Sequence, residues 1–284
     1  MPIAIRDICD VLKLRIGVAI ALSAVAGLMI TPGPPQPAWR IAVLVVAVLL
    51  SSAAAGAFNH YFERDLDARM RRTRNRPFVS GRFAASPAWL WAMALLLIAG
   101  TGLALSLGAA SAGHVLLGAV VYGVVYTVWL KRRTPWNIVV GGLAGSFAVL
   151  AGAAVVNPVP SALPVILAMT LFLWTPPHFW TLALARRAEY AAAGVPMLPV
   201  LMEPRPAARV ILAHAAVLVS VSLLPGLFGM GWLYLACAAA GGALFVALCW
   251  RLAAEPTREN ATAAFLGSLA QLQLVIIGVL LEAL

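Results

Sequence analysis

Residues 38–77 read AWRIAVLVVAVLLSSAAAGAFNHYFERDLDARMRRTRNRP. The first 22 carry a single charge, Arg40, and the next 18 carry three acids and six arginines. An apolar run of about 20 residues is what a helix needs to cross the hydrocarbon core of a bilayer. The abrupt change near Asn59 marks where such a helix leaves it.

Outward from this stretch the pattern recurs. Nine apolar windows lie at roughly 14–31, 38–59, 88–108, 112–130, 135–156, 161–183, 207–225, 229–250 and 262–282. Turn-rich segments such as TPGPPQP (31–37), NPVPS (157–161) and PGLFGMG (225–231) separate them. Pro176 and Pro177 interrupt the sixth window, where a kink or break is expected. Composition agrees. Of 284 residues, 63% are hydrophobic and only 11% charged, where soluble domains run near 25% charged. Mean hydropathy is +0.95. Too few polar side chains exist to coat a water-soluble fold, and disordered chains are poor in apolar residues. The expectation is an all-α, polytopic membrane protein of nine transmembrane helices, with residues 1–284 forming one membrane domain.

Net charge is +10. Apart from Arg40, Lys and Arg lie at or beside the segment before the first window and the loops after the second, fourth, sixth and eighth. The positive-inside rule then puts the N-terminus in the cytoplasm and the C-terminus across the membrane. The AVA triplet at 24–26 loosely resembles a signal-peptide cleavage site, but losing that window would disturb the alternation. The basic excess is accounted for by topology, so no nucleic-acid partner is expected; the bilayer is. Cys9, Cys237 and Cys249 are isolated, which argues against a disulfide framework or thiolate metal site. Mid-span ionisable groups, the usual mark of transport, are nearly absent. Polar chemistry concentrates instead in loops 59–87, 131–135 and 184–206, on one face.

In the first loop Asn59, Glu63 and Asp67 are spaced i, i+4, i+8, so a continuing helix carries them on one side. Arg64, Arg72, Arg76 and other arginines surround them. Mg²⁺ takes one or two protein carboxylates and completes its octahedron with water and phosphate oxygens. Arginine forks suit the remaining phosphate oxygens. The mixture therefore fits a magnesium diphosphate. A juxtamembrane basic run that touches lipid headgroups, or a salt-bridged surface loop, explains this segment alone about as well. The loop after the sixth window adds Glu189 and Tyr190 beside Arg186 and Arg187, and YTVWLKRRTPWN (126–137) adds Lys131, Arg132 and Arg133. Acids at helical spacing in two loops on one side favour a diphosphate held between them by a divalent ion.

At this point the residues resemble a known family. NHYFERDLDARMRRTRNRP is similar to the first Asp-rich motif, N-x-x-x-D-x-x-x-D, of the UbiA superfamily of intramembrane prenyltransferases. WTPPHFW (174–180) with EYAAAGVPMLPV (189–200) resembles the protoheme IX farnesyltransferases, or heme O synthases, and YTVWLKRRTPWNIVVGGLAGS resembles another of their segments. The likeness is strong over 55–200; the last three windows match only in hydropathy. Three departures stand out. Glu63 replaces the usual Asp, Glu189 is preceded by Ala188 rather than another acid, and GSFAVLAGA (145–153) lacks the family's Pro-Pro and Trp. Glu still binds Mg²⁺, so the first two leave the chemistry intact, and the third bears on the acceptor.

The resemblance implies farnesyl transfer from farnesyl diphosphate to a vinyl group of protoheme IX. Mg²⁺ would be held by Asn59, Glu63, Asp67 and Glu189, and the diphosphate by Arg64, Arg72, Arg76, Lys131, Arg132 and Tyr190. His178 is the first candidate for the heme iron, with His60 and His214 behind it; each is as readily a histidine hydrogen-bonded in helix packing. Trp174, Phe179 and Trp180 would line the cavity or mark the membrane interface. His114 falls on the opposite face. Two other readings stay open: a UbiA-type enzyme with an aromatic acceptor such as 4-hydroxybenzoate, and a transporter or heme-handling assembly protein. The second leaves the spacing of the acids unexplained.

Overall fold

The computed structural model describes residues 5–283. Every regular element among them is helical: α1 (Ile5–Val11), α2 (Leu14–Met29), α3 (Ala38–Phe62), α4 (Arg64–Ala68), α5 (Pro87–Leu105), α6 (Ala109–Val120), α7 (Asn137–Gly141), α8 (Leu143–Val156), α9 (Ala162–Ala185), α10 (Arg187–Ala193), α11 (Leu198–Leu201), α12 (Pro204–Leu223), α13 (Trp232–Ala254) and α14 (Arg258–Glu282). A π-helix, Val121–Leu130, extends α6, and a 3₁₀ turn, Leu224–Phe228, extends α12. Among the described residues eight helices are long and apolar enough to cross a membrane. The pair α1 and α2, bent by 51°, brings the number to nine when taken as one span. This is a multi-pass membrane protein.

Local chemistry sets the ends. Proline occupies the first turns of α5 and α12, where a missing N–H costs nothing. Thr257 caps α14 by accepting from the Asn260 N–H at 3.2 Å. Gly194 ends α10 in the left-handed region at φ 70°. The expected break at Pro176 and Pro177 does not occur, because α9 runs unbroken to Ala185. The two prolines orphan the carbonyls of Phe172 and Leu173. Gly142 leaves room beside the first of these, since a Cβ there would come 3.2 Å from the Phe172 oxygen.

Burial in a membrane gives helices no strong hydrophobic reason to associate, so close backbone approach matters. At the α2–α8 crossing a Cβ on Gly27 would fall 2.1 Å from the Val149 oxygen, and one on Gly152 1.8 Å from the Ala24 oxygen. Only glycine fits at either place. Outward-facing side chains are large and apolar, as with Trp91, Leu95, Ile98 and Trp232. Arg40, the lone basic residue at the far end, is satisfied by Gln36 and by the Leu107 carbonyl at 3.1 Å.

Candidate functional site

A cavity of about 1070 Å³ opens among α1–α3, α6, the π-helix, α7–α10 and the segments following α3 and α10. One end is polar, lined by Lys13, Asn59, Glu63, Asp67, Arg76 and Lys131. Its body is lined by small and aliphatic residues such as Ile16, Ile20, Val48, Gly145 and Ala148.

The acid ladder forms, but across a joint. Helix α3 stops at Phe62, Glu63 takes φ −91° and ψ 16°, and α4 restarts at Arg64. The Glu63 N–H still donates to the Asn59 carbonyl at 3.0 Å, and the Asp67 N–H to the Glu63 carbonyl at 2.9 Å. The i, i+4 register survives, so all three side chains face the cavity. They are 2%, 1% and 4% exposed respectively. Buried carboxylates need partners. Lys131 Nζ donates to Glu63 Oε2 at 2.5 Å and Arg76 to Asp67 Oδ2 at 2.6 Å, while Glu63 Oε1 has none.

The other expected residues separate into two groups. Arg72, Tyr190, Trp174, Phe179 and His60 line the cavity, and His60 Nδ1 is buried without a partner. Arg64, Arg132, Glu189, His178, Trp180 and His214 do not line it. Arg64 donates to the Tyr61 carbonyl and lies over the Tyr61 ring. Arg132 grips Asp65 with two 2.7 Å hydrogen bonds, which ties the segment after α3 to the one after the π-helix. That bidentate bond holds the Asp65 carboxyl below its usual range and raises Arg132. Glu189 accepts from Arg186 at 2.9 Å through Oε1, its Oε2 is buried without a partner, and it lies outside the lining of the cavity that Glu63 faces. His178 is hydrogen-bonded to the Ser268 hydroxyl at 2.7 Å and packs between Trp174 and Phe265. His214 packs edge-on against Trp180. His114, set aside on sequence, lines the cavity with Val115.

Sequence reasoning missed Lys13, Tyr122 and Tyr126. Lys13 donates to Asn59 Oδ1 at 2.6 Å and to the Tyr122 hydroxyl at 2.8 Å. The π-helix makes the tyrosines a stacked pair, with centroids 5.7 Å apart. Its wider turns are locked by the Thr127 hydroxyl, which donates to the Tyr122 carbonyl at 2.8 Å and accepts from Asn59 Nδ2 at 2.9 Å. Such helices often mark functional sites. The signal available was a tyrosine pair at i, i+4 in an apolar span. Asn137, whose role the sequence left open, is fully buried and donates to the Thr134 carbonyl.

No group of three or more His, Cys, Asp or Glu side chains able to cage a metal exists among the described residues. The donors present nonetheless fit a hard divalent ion that draws its remaining ligands from water and phosphate, given the two carboxylates, the amide oxygen and the free Glu63 Oε1.

The model of the UbiA prenyltransferase family matches residues 20–275. The chain belongs to that family. The match extends well beyond 55–200, so the likeness includes the last helices. This UbiA-family chain is 53% identical, over 100% of its length and 99% of the relative's, to "Protoheme IX farnesyltransferase 2" of Paramagnetospirillum magneticum. It is 44% identical to "Protoheme IX farnesyltransferase 1" of the same organism, over 96% and 97% of the two chains. The fold is similar to that of a digeranylgeranylglyceryl phosphate synthase, with TM-score 0.80, 18% identity and 98% of each chain covered. It is also similar to a UbiA homologue from Archaeoglobus fulgidus bound to GPP and Mg²⁺, with TM-score 0.70, 15% identity, and 96% and 99% covered. Membership makes this UbiA-family protein an enzyme and sets the transporter reading aside.

Proposed function

We propose that the protein transfers a farnesyl group from farnesyl diphosphate to a vinyl group of protoheme IX, giving heme O. The observation that carries this is a buried carboxylate with a free oxygen, Glu63, at the basic mouth of a large apolar cavity. The names of the full-length relatives support the acceptor.

Asn59, Glu63 and Asp67 would hold Mg²⁺, which supplies charge neutralisation for the departing diphosphate. Arg72, Arg76 and Lys131 take up diphosphate oxygens as the allylic C–O bond breaks and its electron pair leaves with the anion. The faces of Tyr122 and Tyr126, in reach of the same mouth, stabilise the allylic cation without attacking it. The vinyl π pair then forms the new C–C bond, and water captures the resulting cation with loss of a proton. The aliphatic body of the cavity shields the isoprenoid chain from water. His60, lining the cavity, is the histidine we assign to the acceptor's iron, and His178 positions Trp174 from behind. The basic end would face the cytoplasm, in the inner membrane.

The test incubates purified protein with Mg²⁺, farnesyl diphosphate and either protoheme or 4-hydroxybenzoate, followed by mass spectrometry. Farnesylated heme is expected. A prenylated benzoate transfers the reaction to the aromatic acceptor, and neither product defeats the proposal.

A further inference from the structure

Donors and cations are paired one to one along the cavity's polar wall. Lys13 is bound to Asn59 Oδ1 at 2.6 Å, Lys131 to Glu63 Oε2 at 2.5 Å, and Arg76 to Asp67 Oδ2 at 2.6 Å. All six side chains line one cavity. Lys13 is built for this place. It is the only non-glycine residue with positive φ among the described residues, at φ 50° and ψ 40° in the joint between α1 and α2. A residue with a Cβ tolerates that conformation only where its surroundings impose it. Its stem lies along Gly56, where an added Cβ would come 3.2 Å from the Lys13 Cβ. The ammonium is aimed at the amide oxygen.

A divalent ion and an ammonium group cannot share that oxygen, because like charges at such separation repel strongly in a buried site. Emptied of metal, the buried carboxylates would be left uncompensated. The three basic side chains resolve both states by changing partners. We propose that Lys13, Lys131 and Arg76 are exchangeable caps: each holds one donor in the empty site and passes to the prenyl diphosphate when a divalent ion takes that donor. Metal and diphosphate then bind as a pair. Metal alone would strand three cations without an anion, and diphosphate alone would meet unmasked carboxylates. The proposal rests on the diphosphate reading above and adds Lys13 to the residues that contact the leaving group.

The experiment needs no turnover. Mn²⁺ binding to the purified full chain is followed by electron paramagnetic resonance with and without inorganic pyrophosphate. Pyrophosphate is expected to tighten Mn²⁺ about tenfold or more. Lys13→Met should tighten Mn²⁺ alone and weaken pyrophosphate in its presence, each about tenfold. Lys13→Arg should behave as the wild type. A merely structural lysine would move both affinities the same way, and that result, or Mn²⁺ binding indifferent to pyrophosphate, overturns the exchange. Glu63→Gln separates the two readings. If Mn²⁺ binding ignores that substitution, the diphosphate site itself is wrong; if it depends on Glu63 yet shows no coupling, only the exchange is.

Discussion

Glu63 holds its carboxyl group where almost no solvent reaches it, with one oxygen on Lys131 and the other free. Glu63→Gln should lower turnover at least about 100-fold, the usual loss when a group that stabilises developing charge is removed. Lys131→Met isolates the carboxylate instead, and breaking a buried pair this way costs about 3–5 kcal/mol of stability. Thermal melts in detergent separate the cases, because the double variant Glu63→Leu/Lys131→Met should regain most of the stability and none of the activity. Glu189 offers the contrast. Its Oε1 is paired with the neighbouring Arg186, its Oε2 is buried without a partner, and the side chain lies outside the cavity lining, so Glu189→Gln should reduce turnover less than Glu63→Gln; an equal loss would return Glu189 to the metal. Spacing alone made Asn59, Glu63 and Asp67 legible, because i, i+4 fixes a face whatever the fold. It could not place Glu189, whose partner is set by how α10 leaves α9, nor Lys13, which lies 46 residues before Asn59.

Among the elements, the spans were legible because hydropathy over about 20 residues is a direct readout of the solvent they occupy. The π-helix and the unbroken α9 were not, since the first is held by Asn59 of α3 through Thr127 and the second packs beside Gly142 of another segment. The α2–α8 crossing gives the clearest test of such packing. Gly152→Ala puts a methyl 1.8 Å from the Ala24 oxygen, and forcing the helices apart should cost about 1–3 kcal/mol. Gly102→Ala in α5, with nothing within 4 Å of the new methyl, should be neutral or raise stability by up to about 1 kcal/mol. The Asp65–Arg132 tie between loops is half-exposed, so it contributes no more than about 1 kcal/mol. Arg132 depresses the Asp65 carboxyl. The tie is therefore intact above the ordinary carboxylate range and is lost as pH falls through the depressed value. Melting of Asp65→Asn should show a smaller acid-side decline than the wild type.

Over the whole molecule, the ends differ in charge far more than any single site requires. All but one of the 20 Lys and Arg residues lie toward the end that bears the polar mouth. The exception is tied down by Gln36 and a backbone carbonyl. The proposed catalysis needs only a few of these cations, so the rest are the expected determinants of orientation, as basic loops resist translocation. On the proposed function the two roles would share one face because a prenyl diphosphate cannot enter a hydrocarbon core unaided and must be met at a surface. In a variant with Cys9, Cys237 and Cys249 replaced by serine, Thr257→Cys lies at the basic end and Pro158→Cys at the other. A membrane-impermeant maleimide should label Thr257→Cys only in inside-out vesicles and Pro158→Cys only in right-side-out ones. The reverse pattern would put the prenyl diphosphate site on the outer side, away from the cytoplasm, and would break the link between charge distribution and substrate supply.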